Sequence, residues 1–158
     1  MTEAVFCAGR KDDVEKMTLM LVDDEERYLQ TTAKLMGKKG IDVITAQSGE
    51  QALELLRTHD VHVVILDIKM PGMDGFKTLR AIKTLCPPVE VIFLTGHATM
   101  DSAIEGLQFG AFDYVMKPAD IDDIVTKAYE AFEKRRRLDE KIRGLSSGSM
   151  TNVRDDKQ

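Results

Sequence analysis

An α/β fold built on a parallel sheet is predicted by three features: apolar runs of strand length, helix-period stretches between them, and polar residues gathered just after the runs. The runs are Leu19 to Val22, Val43 to Thr45, Val61 to Leu66, Val89 to Leu94 and Tyr114 to Met116, giving five strands. They are rich in Val, Ile and Leu, as strands covered on both faces must be.

Each intervening stretch carries apolar residues at helical spacing: Tyr28, Leu29, Ala33 and Met36; Ala52, Leu55 and Leu56; Phe76, Leu79 and Ile82; Ala103, Ile104 and Leu107. A helix with one such stripe can lie on a sheet. Ser48 followed three residues on by Gln51 predicts a capping box, Asp120 a helix N-cap, and Gly37 and Gly40 the exit of the first helix. The last helix starts near Ile121 and keeps its spacing through Ile124, Val125, Ala128, Phe132, Leu138 and Ile142. It is therefore expected to outrun the sheet by about two turns over 134–144. The Ser-, Gly- and charge-rich stretch 145–158 reads as a disordered tail, and 1–16 as a poorly ordered extension. That leaves one domain over 17–133.

At 158 residues and 43% apolar the chain can bury one core of ordinary size, with no room for a second domain. A formal charge of −5 gives no reason to expect capture of nucleic acid or of an anionic membrane. The basic cluster Lys134 to Arg137 is followed at once by Asp139 and Glu140, as on a solvated helix face. Cys7 and Cys86 form no CxxC framework, and no stretch has the length of a signal-peptide core or a membrane span. A reducing, cytoplasmic setting is expected.

In an open parallel sheet the functional crevice lies at the carboxyl ends of the strands. There the first run ends in Asp23, Asp24 and Glu25, the third in Asp67, the fourth in Thr95 and the fifth in Lys117 before Pro118. Taken alone, Asp23 and Asp24 also suit the start of a helix, a lone Thr a turn, and a lone Lys a solvated loop. Asp67 is different, because an unpaired carboxylate ending a buried strand is costly and calls for a cation. Carboxylates gathered at neighbouring strand ends raise one another's pKa unless a hard divalent cation neutralises them, and Mg2+ suits so open a site. Asp67 then becomes a nucleophile toward phosphorus, with Lys117 balancing charge on the transferred group and Thr95 donating to one of its oxygens.

Four stretches carry a resemblance: Leu21-Val22-Asp23-Asp24-Glu25; Leu66-Asp67-Ile68-Lys69-Met70-Pro71-Gly72-Met73-Asp74-Gly75; Leu94-Thr95-Gly96-His97-Ala98; and Gly110-Ala111-Phe112-Asp113-Tyr114-Val115-Met116-Lys117-Pro118. Over roughly Thr18 to Glu133 the chain resembles the receiver domain of two-component response regulators, in particular the receivers of NtrC-type regulators. The resemblance implies a flavodoxin-like, doubly wound sheet of strand order 2-1-3-4-5 with five helices. It implies that Asp67 is the phosphorylation site, that Asp24 and Asp67 bind Mg2+ directly, that Asp23 assists through water, and that the backbone carbonyl of Lys69 adds an oxygen. It also makes Thr95 and Tyr114 a switch pair and the bond from Lys117 to Pro118 cis, and it sets Lys69 and His97 at the pocket rim.

The partners implied are a histidine kinase or histidine phosphotransfer protein upstream and a protein target or output domain downstream. The helix and strand surface beside Thr95 and Tyr114 is the expected place for partner binding or for pairing of two receivers. Direct nucleic-acid binding is not expected. The chain reads as a stand-alone receiver that signals by protein contact, with a truncated longer regulator as the other form. A magnesium-dependent phosphohydrolase with an aspartyl-phosphate intermediate is the competing class, but Lys69 stands where a second Asp is needed. A nucleotide-binding domain would need a Gly-rich loop where Asp23-Asp24-Glu25 stands.

Overall fold

The computed structural model describes residues 16–96 and 99–156. Most of the N-terminal extension, with Cys7, and His97 at the predicted pocket rim lie outside them. In chain order the elements are β1 (Thr18–Val22), α1 (Glu26–Gly37), β2 (Asp42–Ala46), α2 (Gly49–Thr58), β3 (Val63–Leu66), α3 (Gly75–Leu85), β4 (Glu90–Thr95), α4 (Met100–Gln108), β5 (Asp113–Met116) and α5 (Ile121–Asp156). The strands form one parallel sheet of order β2-β1-β3-β4-β5, the doubly wound arrangement expected.

Successive side chains on each strand feed opposite layers, which is why the strands are almost wholly apolar. Met20, Val22, Val64, Leu66, Val91 and Phe93 meet Ala52 and Leu56 of α2 and Leu79 and Ile82 of α3. Leu19, Leu21, Val63, Ile65, Ile92 and Leu94 meet Leu29 and Met36 of α1 and Ile124, Ala128, Ala131 and Phe132 of α5. Full burial of a side chain such as Leu79 or Ile82 contributes roughly 1.5–3 kcal/mol, so these two layers hold the sheet between its helices.

Helix starts follow local chemistry. Ser48 accepts from the Gln51 N–H at 3.1 Å, but the Gln51 side chain accepts from the Gln47 N–H at 2.7 Å rather than from the cap residue itself. The reciprocal half of the predicted capping box is thus displaced by one residue, because the longer Gln side chain reaches past Ser48. A complete box occurs instead at α4, where Thr99 and Ser102 exchange bonds of 2.8 and 3.1 Å. Asp74 caps α3 through the Lys77 N–H at 3.0 Å.

The last helix departs most from expectation, continuing to Asp156 instead of giving way near Gly144 to a disordered tail. No proline interrupts this stretch, and the helix beyond the sheet carries i,i+3 and i,i+4 ion pairs from Arg136 to Glu133 and Glu140. Its passage past the sheet is fastened by Arg135, a fully buried side chain whose guanidinium donates to the Val61 carbonyl at 3.0 Å and to Asp139 at 3.2 Å, with Asp60 at 3.8 Å. Cys86 is buried at the end of α3. No helix among the described residues is long and apolar enough to cross a membrane.

Replacing Arg135 by Met should lower unfolding stability by roughly 2–4 kcal/mol in a denaturant titration, because the Val61 carbonyl and Asp139 lose a buried charged partner. A change under 0.5 kcal/mol would show that the guanidinium does not fasten α5.

Candidate functional site

The site is assembled by strand ends that overshoot the sheet by one residue while keeping a backbone bond to the neighbouring strand. The Asp23 N–H donates to the Ala46 carbonyl at 3.1 Å, the Asp67 N–H to Val22 at 3.1 Å, and the Lys117 N–H to Thr95 at 2.9 Å. Each functional residue is therefore fixed by the ladder that ends beside it. α3 closes the pocket from below: the Gly75 N–H donates to the Ile68 carbonyl at 2.8 Å. A Cβ on Gly75 would lie 2.5 Å from the Asp67 carbonyl oxygen and 2.6 Å from the Ile68 Cα, so only glycine lets the helix approach this closely.

Asp23, Asp24 and Asp67 bring ligand oxygens within 4.8 Å of one another, with Asp23 and Asp67 buried and Asp24 exposed. The three do not share one environment. Asp23 is engaged on both oxygens: Oδ1 accepts from the Glu25 N–H at 2.9 Å and Oδ2 from the Lys117 ammonium at 2.6 Å. Asp67 Oδ1 is buried without a hydrogen-bond partner. Burial, and after it the charge of Asp23, push the Asp67 carboxyl above the ordinary carboxylate range, although the Thr95 hydroxyl, Lys117 and the Ile68 backbone pull the other way. Burial likewise opposes the Lys117 charge, but the Asp23 bond and the charges of Asp23 and Asp67 outweigh it and hold that pKa above the usual lysine value. A buried oxygen without a donor beside two other carboxylates is a fit receptor for a hard cation with oxygen ligands.

The sequence-predicted residues mostly converge. Asp23, Asp24, Asp67, Thr95 and Lys117 share the pocket, Thr95 being fully buried with its hydroxyl on the Asp67 carboxylate. The Lys117–Pro118 bond is cis. Lys69 is exposed on the loop that follows Asp67 and lines, with Met70, Pro71 and Phe76, a cleft of about 560 Å³ that none of the three carboxylates borders. Tyr114 is half-buried against the core layer that includes Phe93. One residue was missed: the Tyr28 ring lies under the Lys117 ammonium, 4.1 Å from Nζ to the ring centroid. Its helix-period spacing pointed only to a core role, and an aromatic one turn past a carboxylate pair is the signal that could have found it.

A fold wound at β1 and β3, with a carboxylate cluster, an ammonium and a hydroxyl at its carboxyl edge, defines a phosphoacceptor signalling module. The chain belongs to the response regulator receiver domain family, whose model matches residues 19–129. It is 36% identical over 122 residues to the transcriptional regulatory protein ZraR of Klebsiella oxytoca, covering 77% of this chain and 28% of that protein. It is 39% identical over 105 residues to the DNA-binding transcriptional regulator NtrC of Klebsiella pneumoniae, covering 66% of this chain and 22% of that one. The chain thus spans about a quarter of the length of these curated relatives. Among solved structures, a receiver domain protein from Clostridium thermocellum matches with a TM-score of 0.73 and 35% identity over 77% of this chain and 98% of that one. NtrX from Brucella abortus matches with a TM-score of 0.75 and 27% identity over 83% of this chain and 30% of that one. These findings establish a two-component receiver domain related to NtrC-type regulators and lend nothing to the phosphohydrolase alternative. The expectation of no nucleic-acid contact gains no support, since one of these relatives is named as DNA-binding.

Because the folded Asp67 holds its proton more tightly than an unfolded one, stability should fall as pH rises from the ordinary carboxylate value of 3.8 through the raised folded value. With a chelator present, Asp67→Asn should therefore melt above the unmutated protein at neutral pH, and the gap should close toward pH 4. Thermal melts showing the same gap at every pH would remove burial of the Asp67 charge as its source.

Proposed function

We propose that the receiver spans residues 17–133 and accepts a phosphoryl group on Asp67 from a histidine kinase or histidine phosphotransfer protein. The observation that carries this reading is the buried, unpartnered Asp67 Oδ1, flanked by Asp23 and Asp24 and faced by Lys117 and Thr95. Attack by the carboxylate oxygen forms an O–P bond as the bond from phosphorus to the donor's leaving group breaks, and the electron pair departs with that group. Bound Mg2+ supplies charge neutralisation and orients phosphoryl oxygens. Asp24 and Asp67 would hold it, with an oxygen from the Lys69 backbone. Asp23, whose oxygens already serve Glu25 and Lys117, acts through water.

Lys117 answers the added charge, and the Thr95 hydroxyl moves from the carboxylate to a phosphoryl oxygen. Tyr114 then turns further inward behind Thr95, and the surface of α4 and edge strand β5 changes with it. That surface exposes Met100, Ile104, Leu107 and Met116, apolar side chains suited to a protein partner or a second receiver. The signalling role is set in the cytoplasm, and small phosphodonors should also modify the protein, with slow self-catalysed loss of the group.

Incubation with Mg2+ and acetyl phosphate should add one acid-stable, base-labile phosphoryl group, measured by intact mass, and Asp67→Asn should abolish it. Undiminished labelling of that variant would overturn the assignment. In a metal titration, Asp24→Ala should weaken Mg2+ binding on the order of ten-fold or more, and Asp23→Ala by less. Equal losses would place Asp23 in direct contact with the metal.

A further inference from the structure

We propose that Tyr28 is a positioning residue for Lys117, its ring face forming the wall that keeps the ammonium inside the carboxylate pocket. This rests on the reading of Asp67 as the phosphoryl acceptor, and it assigns to α1 a part in that chemistry.

Three contacts define the arrangement. The Lys117 ammonium is 2.6 Å from Asp23 Oδ2 on one side and 4.1 Å from the centroid of the Tyr28 ring on another. The face of an aromatic ring is electron-rich and attracts a cation, the more so where water is partly excluded, and the Lys117 side chain is only 20% exposed. The ring is itself held: it packs against the core layer containing Leu29 and Leu94, and its phenol is paired with the buried Thr32 hydroxyl one turn along α1.

A lysine needs such a wall. Its ammonium is strongly hydrated and rides on four rotatable carbons, so a single carboxylate leaves it free to swing into solvent. Asp23 fixes one direction and the Tyr28 face another, and the remaining attraction comes from Asp67, whose charge also acts on the ammonium. A phosphoryl group formed on Asp67 therefore meets a cation already in place, with less side-chain entropy left to lose. A purely core role for Tyr28 would require only burial of its edge, whereas here one face is turned to the charge.

The test uses the full chain with Tyr28→Leu and Tyr28→Phe. A ring current should shift the Lys117 ε-methylene protons upfield in the unmutated protein; Tyr28→Phe should keep that shift and Tyr28→Leu lose it. With saturating Mg2+, Tyr28→Leu should bind beryllium fluoride about three- to ten-fold more weakly, while Tyr28→Phe stays within two-fold of the unmutated protein. Mg2+ affinity measured without fluoride should not fall in either variant, which separates positioning of Lys117 from damage to the fold. An unchanged ε-methylene shift in Tyr28→Leu, an unchanged beryllium fluoride affinity in that variant, or a Tyr28→Phe variant as impaired as Tyr28→Leu would each overturn the proposal. An unmutated protein that takes up no beryllium fluoride would overturn the Asp67 reading instead, and the proton shifts would still decide the placement of Lys117.

Discussion

The pocket depends on one ion pair, Lys117 with Asp23, which joins positions 94 residues apart. The strands that carry them are not neighbours: in the order β2-β1-β3-β4-β5, both β3 and β4 lie between β1 and β5. The Lys117 backbone sits beside Thr95 at the end of β4, so the Lys117 and Asp23 side chains together bridge two strand spacings, roughly 10 Å. What lies beneath that crossing is the end of β3, where Asp67 follows Leu66. The sheet order thus brings the cation to the Asp67 carboxylate, whose Oδ1 is buried without a hydrogen-bond partner.

For that bridge to hold, the strand ends must stay in register, and the register is maintained by layers far from the site. The alternating burial of β1, β3 and β4 against α1 and α5 on one face and α2 and α3 on the other leaves no apolar side chain free to shift by one residue. Gly75 adds a second constraint, because α3 can approach the loop after Asp67 only where no side chain intervenes. Arg135 works at the opposite end of the sheet, tying α5 to the residue two before β3. The core therefore serves the pocket chiefly by denying the strands alternative positions.

Much of this was legible in the sequence because strands buried on both faces leave an unmistakable apolar run, and whatever polar residue ends the run must face the carboxyl edge. Asp23, Asp67, Thr95 and Lys117 could be found that way. Strand bounds were less so: Val61 reads as strand, yet β3 begins at Val63, since Val61 gives its carbonyl to Arg135 instead of to a neighbouring strand. Tyr28 and Arg135 escaped for a shared reason, that both keep helix-period spacing and their chemistry lies in partners distant in sequence. The capping box at Ser48 was half right because spacing predicts which residues are near a cap but not which N–H the longer side chain reaches. The continued helix beyond Gly144 depends on backbone bonds that composition does not report.

The charge distribution of the resting pocket bears on why modification of Asp67 should be felt elsewhere. Lys117 is committed to Asp23 and the Thr95 hydroxyl to the Asp67 carboxylate, while burial disfavours the ionised form of Asp67. A group carrying more negative charge at the same atom cannot be accommodated by these contacts unaltered, since Asp23 would compete for the ammonium and a single hydroxyl cannot serve both a carboxylate and a phosphoryl oxygen. Some donors must therefore change partners, and each is anchored to a strand end: Thr95 to β4, and Lys117 to the loop after β5 through its bond to Thr95. In the proposed response both would therefore be displaced on the β4 and β5 side of the sheet, to which they are attached. Coupling of this kind needs only that the two arrangements differ in how well they satisfy the charge on Asp67, and the direction of the response follows from where the mobile donors are attached.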